Sequence, residues 1–127
     1  MGSRGFFNFK MSLELRDRAH HSGNWGGLIA NPAIILAHAL ASITGPQGAI
    51  RIPEWRPAGV DAVTRAALAD IEIDAGAGGP TIDRDWGEPG LTSPERVYAW
   101  NSFEVLAFRT GNPDRPVNAI PPRAWAH

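Results

Sequence analysis

The feature that most constrains the fold is a strict alternation of apolar and polar residues over residues 7–16. The apolar positions of this run are Phe7, Phe9, Met11, Leu13 and Leu15. Because successive side chains of a β-strand point to opposite faces, the pattern predicts a long strand with one buried and one solvated face. Sheets that are covered on one face only are antiparallel or mixed.

The best-marked helix is predicted to begin at Pro32. Asn31 is a favourable N-cap, and proline suits the first helical position. An apolar stripe at i, i+4 and i+7 follows, formed by Leu36, Leu40 and Ile43. Gly45 and Pro46 then end the helix.

Weaker patterns complete the order of elements. They predict a short extended piece at 49–53, a second helix over about 61–71, a strand within 97–109 and a last extended segment at 117–127. The aperiodic residues 74–94 predict a long loop. This order predicts an α+β two-layer sandwich, mainly antiparallel, with two helices on one face of the sheet. The nearest common fold is ferredoxin-like.

Composition excludes several classes of function. The chain has 127 residues, about one domain's worth, and no cysteine. It therefore forms no disulfide, thiolate nucleophile or cysteine-based zinc site. A net charge of -1 argues against a nucleic-acid partner, which would require a basic surface. The sequence also lacks an apolar run of about 18 residues, so no membrane span is predicted and we expect a cytoplasmic protein.

The histidines do not predict a metal site within this chain. They are His20, His21, His38 and His127, and no spacing typical of a metal-binding pair joins them. A Ser-His-Asp triad is not indicated either, because the sequence contains no G-x-S-x-G motif.

The segment that remains is the glycine-rich run at 21–27, with the sequence HSGNWGG. One interpretation is a loop without a binding role, in which the histidine is a hydrogen-bond donor on the protein surface. Alternatively, its glycines let the backbone approach a ligand and display an imidazole at the rim of a site. Composition leaves both interpretations open.

A set of short motifs, taken together, resembles one known family. In chain order they are Arg4-Gly5, His21-Ser22-Gly23, Gly26-Gly27, Asn31-Pro32, Gly48-x-Ile50-x-Ile52-Pro53 and Asn118-x-Ile120-Pro121. Together they resemble the lid, or dimerisation, domain of the zinc-dependent exopeptidases and amidohydrolases of metallopeptidase family twenty. Carnosinase, aminoacylase and succinyl-diaminopimelate desuccinylase are members of that family.

The resemblance implies a domain of a larger enzyme. Residues 4–127 would be the lid of a two-domain metallopeptidase, and residues 1–3 a cloning remnant. The zinc ions would lie in an absent catalytic domain, so the isolated chain would hold no cofactor and be inactive. The implied partners are a second copy, bound through this domain in a homodimer, the catalytic domain and a peptide or acyl-amino-acid substrate.

The resemblance also implies roles for individual residues. His21 matches a histidine that reaches across the dimer and stabilises the tetrahedral oxyanion, and Asn118 matches an asparagine that binds substrate near its carboxylate. Gly23, Gly26 and Gly27 would shape the loop without touching substrate. Arg123 is not expected to replace the family's carboxylate-binding arginine.

Two other functions stay open from the residues alone. One is a free-standing ferredoxin-like module that binds a ligand or regulates a partner. The other is single-stranded nucleic-acid binding on an aromatic sheet, which is disfavoured because a basic groove is missing. Segments flanking this chain in its reading frame would separate the lid from the free-standing module, because a catalytic domain carries His-x-Asp and paired glutamates.

Overall fold

The computed structural model describes residues 4–127, so the interpretation of residues 1–3 lies outside the described residues. The strands are β1 (Met11–Glu14), β2 (His20–His21), β3 (Phe108–Thr110), β4 (Ala119–Ile120) and β5 (Arg123–Ala126). The α-helices are α1 (Ser22–Trp25), α2 (Pro32–Ile43), α3 (Ala62–Leu68) and α4 (Ser93–Tyr98), and a 3-10 helix spans Pro53–Trp55.

The chain divides into two compact units. Of the described residues, the sheet unit comprises 6–41 and 105–127, and the loop unit comprises 4–5 and 42–104. The strands belong to the sheet unit, whereas α3 and α4 belong to the loop unit. The predicted α+β class, with antiparallel sheets and a ferredoxin-like sandwich, is confirmed.

In the sheet unit, β5 is the central strand of a three-stranded antiparallel sheet with the order β1-β5-β3. Ala124 and Ala126 of β5 and Leu36 of α2 form the buried core. Met11, Leu13, Ala33 and Leu40 pack against that core. Two residues of the predicted apolar stripe of α2, Leu36 and Leu40, therefore face the sheet.

The first strand is shorter than predicted. β1 covers only Met11–Glu14, and its register with β5 ends at Glu14↔Arg123. Before Arg123 come Pro121 and Pro122, which have no N–H to donate to β1. The carbonyl oxygen of Pro122 still accepts from the Leu15 N–H at 2.9 Å. At the other end Phe7 is 84% exposed, so the alternation at its first positions does not mark a buried face.

The strand predicted within 97–109 is also mostly wrong. Its start is occupied by α4, and the strand itself is confined to Phe108–Thr110. A capping box begins α4: the Thr92 N–H donates to the Glu95 carboxylate at 2.8 Å, and the Glu95 N–H donates to the Thr92 hydroxyl at 3.4 Å.

The remaining predictions hold in part. The helix predicted over 61–71 is α3, and residues 74–92 contain no helix or strand in the described chain. The segment 49–53 makes one bridge, Thr44↔Ile50, before the 3-10 helix. Prolines divide the last segment into β4 and β5.

Arginine side chains connect separate segments of the loop unit, as Arg65 and Arg96 show. Arg65 of α3 pairs with the buried Glu95 of α4 at 2.8 Å. Arg96 donates to the carbonyl oxygens of Arg84, Trp86 and Glu88 at 2.7–3.0 Å. The second half of the long loop is therefore tied to α4 by hydrogen bonds from the Arg96 side chain to the loop backbone, which no periodicity of the loop sequence indicates.

Replacing Leu36 with alanine tests the core of the sheet unit. Leu36 is 0% exposed, so Leu36→Ala should lower the free energy of unfolding by about 2–5 kcal/mol. Ile34→Ala on the same helix is the control, because Ile34 is 59% exposed. Chemical denaturation of both variants in dilute solution measures the difference. Equal losses would contradict this core.

Acid should weaken the start of α3. Asp61 caps this helix by accepting hydrogen bonds from the backbone N–H of Thr64 at 2.9 Å and from its hydroxyl at 2.8 Å. These bonds, the backbone one first, lower the pKa of Asp61 from its ordinary value of 3.8. Since the folded pKa lies below the unfolded one, the stabilisation is present above the unfolded pKa and is lost as pH falls through the folded pKa.

An NMR titration of the Asp61 carboxyl should therefore give a midpoint below 3.8. Thr64→Val removes the hydroxyl but keeps the backbone donor, so it should raise the midpoint without restoring the ordinary value. A wild-type midpoint at or above 3.8 would refute the capping account.

Candidate functional site

The structure brings together the two residues that the sequence singled out for chemistry. His21 ends β2, and Asn118 directly precedes β4. These strands pair antiparallel with His21 opposite Ala119. The backbone N–H of Ser22 then donates to the carbonyl oxygen of Asn118 at 2.9 Å. Two distant motifs of the sequence therefore meet at one edge of the small sheet.

His21 is exposed and its ring has a defined partner. It is the N-cap of α1, and its Nδ1 accepts a hydrogen bond from the backbone N–H of Gly23 at 3.0 Å. This satisfies one of the N–H groups that a helix start leaves unpaired. With Nδ1 engaged in the cap, Nε2 is the ring nitrogen that can meet a ligand.

The glycines of this segment each have a geometric reason. A Cβ at Gly23 would lie 2.8 Å from Cε1 of His21, and one at Gly26 would lie 2.6 Å from the Ser22 carbonyl oxygen. Gly27 has φ +80, a left-handed conformation that side chains disfavour. The role of these residues in shaping the loop rests on this geometry, and their distance from substrate stays a prediction.

Trp25 is a neighbour that the sequence analysis did not single out. It is the last residue of α1 and is 45% exposed. Its ring makes an edge contact with the ring of His20, with centroids 6.0 Å apart. Leu28, which comes after Gly26 and Gly27, is 75% exposed. A large aromatic residue inside the glycine-rich run was the available signal for this apolar surface.

The other histidines do not join His21 and Asn118. His38 is exposed on α2, and His127 follows β5, where its backbone N–H donates to Ala107 at 2.9 Å. Arg123 lies on β5 opposite Glu14.

Over residues 4–127, no group of three or more His, Cys, Asp or Glu side chains could hold a metal ion. No described helix is both long and apolar enough to cross a bilayer.

The chemical capacity of this site is that of a polar donor surface. An imidazole has an N–H donor, and a carboxamide has two donors and an acceptor. Both can bind a carbonyl oxygen or an anion without burying a charge of their own. The arrangement can position and stabilise a reacting group that another part of a protein attacks.

Comparison with known proteins gives matches in structure alone. No family model matches the sequence, and no curated protein matches it. An M20 family metallo-carboxypeptidase, Sso-CP2 from Sulfolobus solfataricus, matches with a TM-score of 0.68 and 19% identity over 92% of this chain. The dipeptidase Dug1p from Saccharomyces cerevisiae matches with a TM-score of 0.64 and 21% identity, also over 92% of this chain.

The chain shares its fold with one part of each peptidase. It spans 32% of the Sso-CP2 chain and 26% of the Dug1p chain. Most of each peptidase therefore has no counterpart here, while nearly all of this chain has a counterpart in both.

Proposed function

We propose that this chain is the lid and dimerisation domain of a zinc-dependent peptidase or amidohydrolase. In this proposal His21 stabilises the oxyanion of the reaction and Asn118 binds the substrate, both across a homodimer. The observation that carries the proposal is the pairing of β2 with β4, which sets an exposed His21 beside Asn118. The fold shared with two peptidases supports it.

The chemistry of His21 follows from the charge that develops in amide hydrolysis. Attack on the carbonyl carbon converts the carbonyl oxygen into an oxyanion of a tetrahedral intermediate. A preorganised N–H donor about 2.7–3.1 Å from that oxygen stabilises the charge, and one such donor is worth about 10²–10³ in rate. An exposed imidazole whose Nδ1 is held at 3.0 Å by Gly23 is preorganised in this sense.

Asn118 offers a different contribution. Its amide can donate to a substrate carboxylate and also accept from a substrate N–H. Because the amide is neutral, binding does not require the desolvation of a second charge. Its backbone carbonyl accepts from the Ser22 N–H at 2.9 Å, which holds the backbone of Asn118 beside the His21 segment.

The zinc ions would be held by residues outside this chain. The described residues provide no group of metal ligands, so they do not fit such a site. In the proposed enzyme this chain binds and stabilises, and the bond-breaking groups belong to the catalytic domain.

Dimerisation is supported by exposed apolar surface in the sheet unit. Ile34 and Ile35 of α2 are 59% and 40% exposed. β1 and β3 are the outer strands of the sheet, so each has one edge that no described strand pairs with. Exposed apolar residues and strand edges are features that a second copy of a chain can cover. We propose that both contribute to the homodimer.

Substitutions at His21 separate its two roles in the two-domain enzyme. Alanine removes both the cap and the donor, which should cost about 1 kcal/mol of stability and slow turnover by about 10²-fold or more. Asparagine keeps an acceptor for the Gly23 N–H, but its side chain is too short to place a donor where Nε2 lies. His21→Asn should therefore retain stability and be as slow as His21→Ala.

His21→Gln completes the series, because the glutamine amide nitrogen reaches about as far as Nε2. It should recover part of kcat while losing the cap. Steady-state kinetics and thermal unfolding of the three variants measure both effects. If asparagine restores turnover and glutamine does not, His21 acts through the cap and the oxyanion role is wrong.

A further inference from the structure

We infer that the backbone N–H of Gly23 is a positioning group that sets the tautomer of His21. It holds the ring in the form that carries its proton on Nε2. The hydrogen bond stands on the geometry of this chain, whereas its meaning for catalysis rests on the proposed function.

The argument begins with the two nitrogens of a neutral imidazole. One nitrogen carries a proton and donates, and the other has a lone pair and accepts. Nδ1 of His21 accepts from the Gly23 N–H at 3.0 Å, so Nδ1 must carry the lone pair. The proton is then on Nε2. In the opposite tautomer two N–H groups would face each other at this distance.

The direction of Nε2 is determined by contacts on both sides of the residue. The backbone of His21 is held opposite Ala119, and the next N–H donates to Asn118 at 2.9 Å. The ring is held by Gly23. Since a Cβ at position 23 would lie 2.8 Å from Cε1 and 3.0 Å from Nδ1, the ring can adopt this position only over a glycine.

This arrangement explains the order of residues in His21-Ser22-Gly23. Serine at the first helical position completes the turn, and glycine two residues after the histidine supplies both the donor and the free space. An oxyanion requires an N–H and is repelled by a lone pair. The hydrogen bond from Gly23 therefore selects the tautomer that can serve the proposed reaction.

NMR on the 127-residue chain tests the inference directly. With ¹⁵N-labelled protein at a pH at which the imidazole is neutral, we expect one His21 tautomer, with an unprotonated Nδ1 and a protonated Nε2. A scalar coupling across the hydrogen bond should connect the Gly23 amide nitrogen with Nδ1. His38, exposed on α2, is the internal reference, and its ring nitrogens should show the averaged shifts of a tautomer mixture. A protonated Nδ1 or a mixture at His21 would overturn the inference.

A substitution extends the test to function. Gly23→Ala should displace the ring, abolish the coupling and lower kcat in the two-domain enzyme by up to the about 10²-fold expected for His21→Ala. Its effect on KM should be small. Gly5→Ala is the matched control, because a Cβ there meets nothing within 4 Å. If Gly23→Ala does not fold, the wild-type spectrum still decides the question.

Failure of this inference and failure of the proposed function are distinguishable. If His21 carries its proton on Nε2 but His21→Ala leaves kcat unchanged, the oxyanion role is wrong and the inference about the tautomer is still correct. If His21 is a mixture of tautomers but His21→Ala lowers kcat, the inference about the tautomer is wrong and the proposed oxyanion role is retained.

Discussion

The site depends on one short antiparallel pairing. β2 and β4 have two residues each, and the hydrogen bond from Ser22 to Asn118 extends their contact at 2.9 Å. Without it the His21 segment and the Asn118 segment would be independent loops. With it, an imidazole and a carboxamide face solvent from neighbouring backbone positions, and the short helix that His21 caps fixes the ring.

The sequence predicted correctly those elements whose position is determined by interactions between residues close together in the chain. The N-terminus of α2 is an example: the Ala33 N–H donates to the Asn31 side chain at 3.0 Å, as the N-cap pattern indicated. Leu36 lies in the core for the same reason, since its spacing put it on the apolar face. The capping box of Thr92 and Glu95 was equally local and was missed, because the apolar residues after it resembled a strand.

Elements that depend on a distant partner could not be read in this way. The length of β1 is limited by β5 and by Pro121 and Pro122, which lie at the other end of the chain. For the site, the motifs indicated His21 and Asn118, but their adjacency follows from the pairing of strands. Trp25 gave no sequence signal beyond its type, because the significance of an exposed aromatic residue depends on its neighbours.

Subunit complementation tests most directly whether this domain completes a reaction centre in a neighbouring subunit. Two forms of the two-domain enzyme would be mixed, one slowed by His21→Ala and one that lacks a zinc ligand in its catalytic domain. In a mixed dimer, one intact catalytic domain meets an intact His21 from the other subunit, so we predict that activity rises well above that of the His21→Ala form on mixing. If subunits exchange and activity does not rise, the histidine does not act across the dimer.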